Sequence, residues 1–83
     1  MKILYFAWLR DRVGIAEEEV TPPPEVGDVA GLIDWLKLRG DNFSQALSDI
    51  SAIRVAVNQE HVPLDHPVGA GDEVALFPPV TGG

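Results

Sequence analysis

The chain has 83 residues, of which 46% are hydrophobic, and its formal net charge is −7. This length fits one domain, the acidic charge argues against nucleic-acid binding, and the absence of cysteine excludes disulfides, thiolate metal sites and thiol nucleophiles. The longest apolar run, at residues 3–9, is too short to cross a bilayer, so we expect a cytoplasmic protein that does not contact a membrane.

The first predicted strand is the apolar and aromatic run KILYFAWL at residues 2–9. Successive side chains of a strand point to opposite faces, and a domain this small has one main core, so one face of this strand should be partly free. One face carries Ile3, Tyr5, Ala7 and Leu9, and the other carries Leu4, Phe6 and Trp8.

The second predicted strand is EEEV at residues 17–20, which follows a charged turn containing Gly14. We expect it to pair with the first strand in a hairpin and to lie at a charged edge of the sheet. The prolines at 22–24 end it, because proline cannot donate to a sheet ladder.

The main predicted helix begins after Asp28, a favourable N-cap, and ends before Gly40. A shorter helix is predicted over 42–49. In both segments apolar residues recur at helical spacing: Val29, Leu32, Ile33 and Leu36 in the first, and Phe43, Ala46, Leu47 and Ile50 in the second.

The second half of the chain predicts a return to strands. The segment AIRVAVNQ at 52–59 alternates as a strand with one buried face, and an irregular, proline-interrupted crossing follows, with room for one short strand. A Gly71–Asp72 turn then leads to the last strand at 73–77. In that strand Val74 and Leu76 oppose Ala75 and Phe77.

This order of elements predicts an α+β fold, a mixed sheet with one main helix packed across one face. The ubiquitin-like β-grasp is the small fold with this order, and by analogy its first and last strands would lie side by side in the centre of the sheet, with Phe6 near Phe77. We expect a domain over 1–77 and an extended tail over 78–83.

Side chains suited to catalysis or metal binding are few in this sequence. His61 and His66 are separated by a proline-containing loop, and surface histidines of this kind are usually solvated or structural, so no metal is assigned. The glutamates at 17–19 alternate in direction along a strand, and a solvated edge explains them better than an acid cluster.

The large aromatic residues Phe6, Trp8 and Phe77 have two explanations. They form an exposed apolar patch on the face away from the helix, or Phe6 belongs to the core and the assignment of the two faces is inverted. Exposed patches of this kind mark partner surfaces, and we favour an interface.

The final residues Pro78 to Gly83, which read PPVTGG, also have two explanations. Gly-Gly is common in frayed chain ends. Alternatively, Pro78 and Pro79 direct an extended stalk through Val80 and Thr81, with a reach of roughly 20 Å, into another protein's active site. Gly82 and Gly83 would then present a carboxylate without neighbouring side chains, for a partner to activate with ATP. If sulfide displaced the activating group, the product would be a thiocarboxylate, and if a lysine displaced it, the product would be an isopeptide bond. The sequence does not distinguish these two outcomes.

Several segments resemble the small, sulfur-carrier subunit of molybdopterin synthase: VNQ at 57–59, DHPV at 65–68 and GDEVALFPPVTGG at 71–83. The opening KILYFAWLRDRVG also resembles that family, whereas the similarity weakens across 15–52. The resemblance implies a β-grasp fold in which Gly83 is adenylated by a ubiquitin-activating-like adenylyltransferase and becomes a thiocarboxylate.

The resemblance further implies that the tail enters a large subunit and donates sulfur to a cyclic pyranopterin monophosphate, giving molybdopterin. Two small and two large subunits would assemble, and this chain would be a sulfur-donating subunit of a sulfurtransferase with no active site and no bound cofactor of its own. Phe6, Arg10 and Phe77 match the family's contact surface, and we add Trp8. His61 stands where relatives carry an apolar residue, at the rim of the interface.

Two other functions remain open from the residues. The same activation could serve a carrier for thiamin or tRNA thiolation, or a modifier conjugated to lysines. Alternatively, the chain could be a plain interaction module whose Gly-Gly end is incidental.

Overall fold

The first and last strands lie side by side at the centre of one mixed sheet, as predicted. The computed structural model describes residues 1–79, and within them the five strands stand in the order β2-β1-β5-β3-β4. β1 and β5 are parallel, and the other neighbours are antiparallel. The strands are β1 (Lys2–Tyr5), β2 (Glu17–Glu19), β3 (Arg54–Val57), β4 (Glu60–His61) and β5 (Glu73–Phe77), and the helices are α1 (Ala7–Val13), α2 (Val29–Lys37) and α3 (Asp41–Ala46).

The core lies between the sheet and α2, which confirms the α+β prediction. The Asp28 side chain caps α2 by accepting the Gly31 N–H at 2.8 Å. Burial of each large apolar side chain contributes roughly 2 kcal/mol. The predicted inward residues of β1, β5 and α2 are at most 1% exposed: Ile3, Tyr5, Val74, Leu76, Val29, Leu32, Ile33 and Leu36.

The predicted first strand is wrong beyond Tyr5, because the chain enters α1 at Ala7. Ala7 has φ 55, which breaks the extended path, and Leu9 and Val13 are buried one helical turn apart. Gly14, at φ 97, ends the helix, with its N–H donating to the Arg10 carbonyl at 2.8 Å. Ala7, Trp8 and Leu9 therefore do not belong to the faces of a strand.

β2 is an antiparallel edge strand, as predicted, but α1 replaces the expected hairpin turn between it and β1. Glu17 and Glu19 are exposed, whereas the Glu18 side chain is only 13% exposed. Glu18 accepts the Tyr5 hydroxyl at 2.8 Å and pairs with Arg39 at 2.6 Å. Burial, and then the hydrogen bond to Glu18, raises the pKa of Tyr5 well above its ordinary value. The solvated-edge interpretation therefore fails at Glu18.

The second predicted helix is confirmed over α3 but is shorter than 42–49. Phe43, Ala46 and Leu47 are buried as predicted, whereas Ile50 begins a separate 3-10 turn at Ile50–Ala52 and is 43% exposed. Among residues 1–79, no helix is long and apolar enough to span a bilayer.

Asn58 and Asp72 join the β3–β4 turn to the start of β5. Asn58 and Gln59 both have positive φ, at 51 and 71, as a two-residue hairpin turn requires. The Asn58 amide donates to Asp72 at 3.0 Å and accepts the Glu73 N–H at 3.0 Å. Asp72 also accepts the Gly69 N–H, and the hydrogen bonds from Asn58 and Gly69 hold the pKa of Asp72 below its ordinary value. The VNQ and GDEV motifs thus build one turn assembly.

Candidate functional site

The last strand is held on both sides up to its final residue, Phe77. β5 pairs with β1 through Tyr5 and Leu76, and with β3 through Arg54 and Phe77. The Phe6 N–H adds one more hydrogen bond to the Leu76 carbonyl, at 3.1 Å. We call this end of the sheet, where β1 and β5 finish, the tail end. The chain therefore leaves the centre of the sheet from a fixed base.

The sheet face away from α2 is apolar near the tail end. Directly paired residues of neighbouring strands share a face, so Ala75 lies beside Leu4 on one side and Ala56 on the other. Phe77 follows on the same face of β5, and alternation after the buried Tyr5 turns Phe6 outward, where it is 46% exposed. We call this set the outer face: Leu4, Phe6, Ala56, Ala75 and Phe77.

The exposure of Phe6 decides between the two explanations of the aromatic patch. A core residue would be covered, as Ile3 and Tyr5 are, and Phe6 is not. The placement of Phe6 outside the core is therefore confirmed, although Phe6 follows β1 and does not belong to it.

His61 lies beside Phe77. Its ring centre is 5.2 Å from that of Phe77, with the two rings tilted by 47°. His61 pairs with Ala56 and is exposed. His66 is in another part of the molecule, where its carbonyl accepts the Val29 N–H at 3.0 Å at the start of α2.

Trp8 and Arg10 reach the tail end through α1 and not through a strand. Trp8 is half-buried against the core, and the Arg12 guanidinium stacks 5.0 Å from its ring centre. Arg10 is exposed. The structure therefore places both predicted contact residues on a short helix, and the prediction that Trp8 shares one exposed patch with Phe6 and Phe77 is wrong, because Trp8 packs against the core.

The predicted tail is only partly covered by the structure. Pro78 and Pro79 are half-buried after Phe77, whereas Val80, Thr81, Gly82 and Gly83 lie outside the described residues.

The sequence analysis did not propose Leu4, Ala56 or Ala75 as interface residues. Leu4 and Ala75 share the strand faces of Phe6 and Phe77 in the alternation pattern, so that signal was present. Placing Ala56 beside Ala75 required the β3–β5 register, which local patterns do not contain.

Three comparisons relate the chain to known proteins. Residues 3–83 match the ThiS family. The chain is 42% identical to the molybdopterin synthase sulfur carrier subunit of Escherichia coli (strain K12) over 83 residues, which cover 100% of this chain and 99% of the relative.

Two solved structures share the fold. A molybdopterin converting factor, subunit 1, from Pyrococcus furiosus superposes with a TM-score of 0.75 at 34% identity, covering 95% of each chain. SAMP1 from Haloferax volcanii superposes with a TM-score of 0.74 at 30% identity, covering 100% of this chain and 98% of that one. These neighbours agree with the β-grasp fold expected from the order of the elements.

Proposed function

Because this chain belongs to the ThiS family, we propose that it is the sulfur carrier of molybdenum cofactor biosynthesis, the small subunit of a molybdopterin synthase. The observation that carries the proposal is the continuity of the last strand, fixed at the sheet centre, with the segment that ends in Gly82 and Gly83. The 42% identity to a relative named as such a subunit supports it over the full chain.

The carrier group is the carboxylate of Gly83. An adenylyltransferase of the ubiquitin-activating type joins a carboxylate oxygen to the α-phosphorus of ATP, and pyrophosphate leaves. Sulfide then attacks the acyl carbon, a C–S bond forms, the bond to AMP breaks, and Gly83 becomes a thiocarboxylate. ATP is used by the partner, so the chain itself needs no bound cofactor.

The second half of the cycle takes place in the large subunit. The tail inserts into that subunit's pocket, and the thiocarboxylate sulfur is transferred to a cyclic pyranopterin monophosphate, while water restores the Gly83 carboxylate. Two small and two large subunits form the assembly. Molybdopterin is the product, and the small subunit returns for another activation.

The domain over 1–77 binds the partner and orients the tail, and the tail over 78–83 carries the reacting group. The outer face meets each partner in turn, with Arg10 and Trp8 on α1 and His61 on β4 at its margins. The tail starts from Phe77, which ends a strand paired with β1 and β3. Because the starting point of the tail is fixed, less orientational entropy is lost when the tail enters a narrow site.

Intact mass spectrometry tests the proposal. The protein is incubated with ATP, sulfide and the adenylyltransferase, beside a chain that lacks Gly83. The expected result is a mass gain equal to one oxygen replaced by sulfur, present in the full chain and absent from the truncated one. No gain with an enzyme active on another substrate, or isopeptide-linked products in its place, would contradict the carrier role.

A further inference from the structure

His61 brings a side chain that changes charge near neutral pH to the outer face. It pairs with Ala56, which pairs in turn with Ala75, so these three residues form one row across β4, β3 and β5. The centre of the His61 ring lies 5.2 Å from that of Phe77, and His61 is exposed. A partner that covers the Phe77 ring therefore also covers the imidazole.

The residues that surround this imidazole on the outer face carry no charge. They are Ala56, Ala75 and Phe77. Within residues 1–79, no carboxylate lies within ion-pair distance of His61. Nothing in the described part of the chain therefore compensates the charge of a protonated His61.

The charged residues of β4 and β3 do not supply such a partner. Glu60 pairs with Val57, which is buried, so its side chain belongs to the other face of the sheet. Arg54 is on the outer face, but its Nη1 donates to the Ser51 and Ile53 carbonyls at 3.3 Å each, just before β3 begins. Its positive charge disfavours a second positive charge nearby.

The charged residue of β5 lies farther along the sheet. Glu73 stands two residues before Ala75, roughly 7 Å away along the strand. It pairs with Lys2 of β1, which supplies the opposite charge on the same face. Glu73 therefore contributes little to the charge balance at His61.

The charge of His61 affects what it costs to cover this surface. Removing an ion from water is costly unless an opposite charge pairs with it. A neutral imidazole can instead keep its ring against Phe77 and needs only uncharged groups for its one donor and one acceptor. The two forms of His61 should therefore differ in their affinity for a partner.

We propose that His61 is a specificity-determining residue of the outer face and enters the complex with the large subunit as the neutral imidazole. Binding under mildly acidic conditions then releases the proton of His61 to solvent. The partner surface that fits is apolar over Phe77 and offers the imidazole an uncharged hydrogen-bonding group, such as a backbone amide or a hydroxyl, and not a carboxylate. The inference rests on the proposed function, because it needs a large subunit that covers the outer face.

The test measures Kd between the full chain and the large subunit by calorimetric titration, at about pH 7.5 and about pH 5.5. The wild type is compared with His61→Leu, which keeps an apolar side chain beside Phe77, and with His61→Gln, which keeps uncharged hydrogen bonding. Neither substituted side chain can be protonated. Each titration is repeated in buffers of different ionisation enthalpy, which counts the protons released on binding.

His66→Gln is the matched control. The chain has two histidines, and His66 lies at the start of α2, in another part of the molecule. This variant therefore removes one histidine and leaves the outer face unchanged. Circular dichroism verifies that every variant is folded at both pH values.

The Kd of the wild type is expected to be about tenfold higher at pH 5.5 than at pH 7.5. At pH 5.5 only about one tenth of an ordinary histidine is neutral, and only that fraction is competent to bind. His66→Gln should show the same rise. Both His61 variants should show a rise smaller by about that factor, and they should release fewer protons on binding.

An equal pH dependence in the wild type and in both His61 variants would overturn the inference. Wild-type binding that strengthens with acid, with the effect lost in both variants, would also overturn it and would indicate a partner carboxylate paired with the imidazolium. The proposed function survives either result, because the large subunit still binds. Absence of wild-type binding at every pH would contradict the proposed function, and this inference with it.

Discussion

The two ends of the sheet use their side chains for different purposes. At the end where β5 begins, Asn58 donates to Asp72, Asn58 accepts the Glu73 N–H, and Asp72 accepts the Gly69 N–H. Polar side chains at this end therefore hold the turns together. At the tail end, Phe6 and Phe77 leave part of their rings uncovered around the last strand. Changes at the first end should affect folding stability, and changes at the second should affect association and chemistry.

Deletion of Gly83 is expected to have the largest effect, complete loss of ATP-dependent thiocarboxylate formation. The melting temperature should not change, because the buried hydrophobic core of residues 1–79 lies between Ile3 and Leu76. Mass spectrometry and thermal unfolding of the same samples measure both quantities. A large loss of stability would mean that Gly83 belongs to the folded structure.

Phe77→Asp is expected to weaken binding to the large subunit and to the adenylyltransferase. Loss of an aromatic anchor at an interface typically costs about 2 kcal/mol or more, roughly a thirtyfold rise in Kd. Calorimetric titration measures each complex, and circular dichroism should show an intact fold. Leu38→Asp is the matched control, because Leu38 is 84% exposed after α2, away from the outer face. Unchanged binding of either partner would remove Phe77 from that interface.

Asn58→Ala should destabilise the fold by about 2 kcal/mol, because it removes two hydrogen bonds and places a less suitable residue at positive φ. Urea unfolding measures the loss. Asn58→Gly keeps the backbone conformation and separates the two causes. Partner binding should stay at the wild-type level. A weakened complex would contradict the claim that the end of the sheet where β5 begins affects only folding stability.

Two residues with positive φ, Ala7 at the start of α1 and Gly14 just after its end, should change the folding stability in opposite directions when substituted. Gly14→Ala should cost about 1 kcal/mol, since a Cβ there meets no atom within 4 Å and only the backbone conformation at φ 97 opposes it. Ala7→Gly relieves the same conformational cost at φ 55 and should stabilise by about 0.5 kcal/mol. Equal signs in chemical unfolding would refute this account of how α1 begins and ends.

The smallest expected effect is the pH dependence contributed by Asp72. Its pKa is lowered in the folded state, so its contribution is present above the unfolded pKa and is lost as the pH falls through the folded pKa. The stability difference between the wild type and Asp72→Asn should therefore shrink below about pH 4. Urea unfolding across an acidic pH series measures this difference, and a gap that widens with acid would contradict the assignment.

The parts of the fold predicted from sequence are those specified by local pattern. The sequence predicted α2 because Asp28 is a favourable N-cap and four apolar residues of the helix recur at helical spacing. It predicted β5 because apolar side chains alternate along that strand. α1 was missed because it is seven residues long, buries only Leu9 and Val13, and depends on Ala7 adopting positive φ. The same residues are also compatible with a charged turn.

The candidate site was predictable to a similar extent. Alternation and terminal composition indicated Phe6, Phe77 and the tail. Glu18 was misassigned because its partners, Tyr5 and Arg39, are distant in sequence. Ala56 was missed because its place beside Ala75 follows from strand register.

Transfer of labelled sulfur tests the central claim most directly. The protein is converted to the thiocarboxylate with radioactive sulfide, purified, and mixed with the large subunit and cyclic pyranopterin monophosphate in a single turnover. The account predicts that label leaves Gly83 and appears in molybdopterin in the same time course. Label that stays on the protein, or that is released only as free sulfide while the large subunit is active with another carrier, would contradict it.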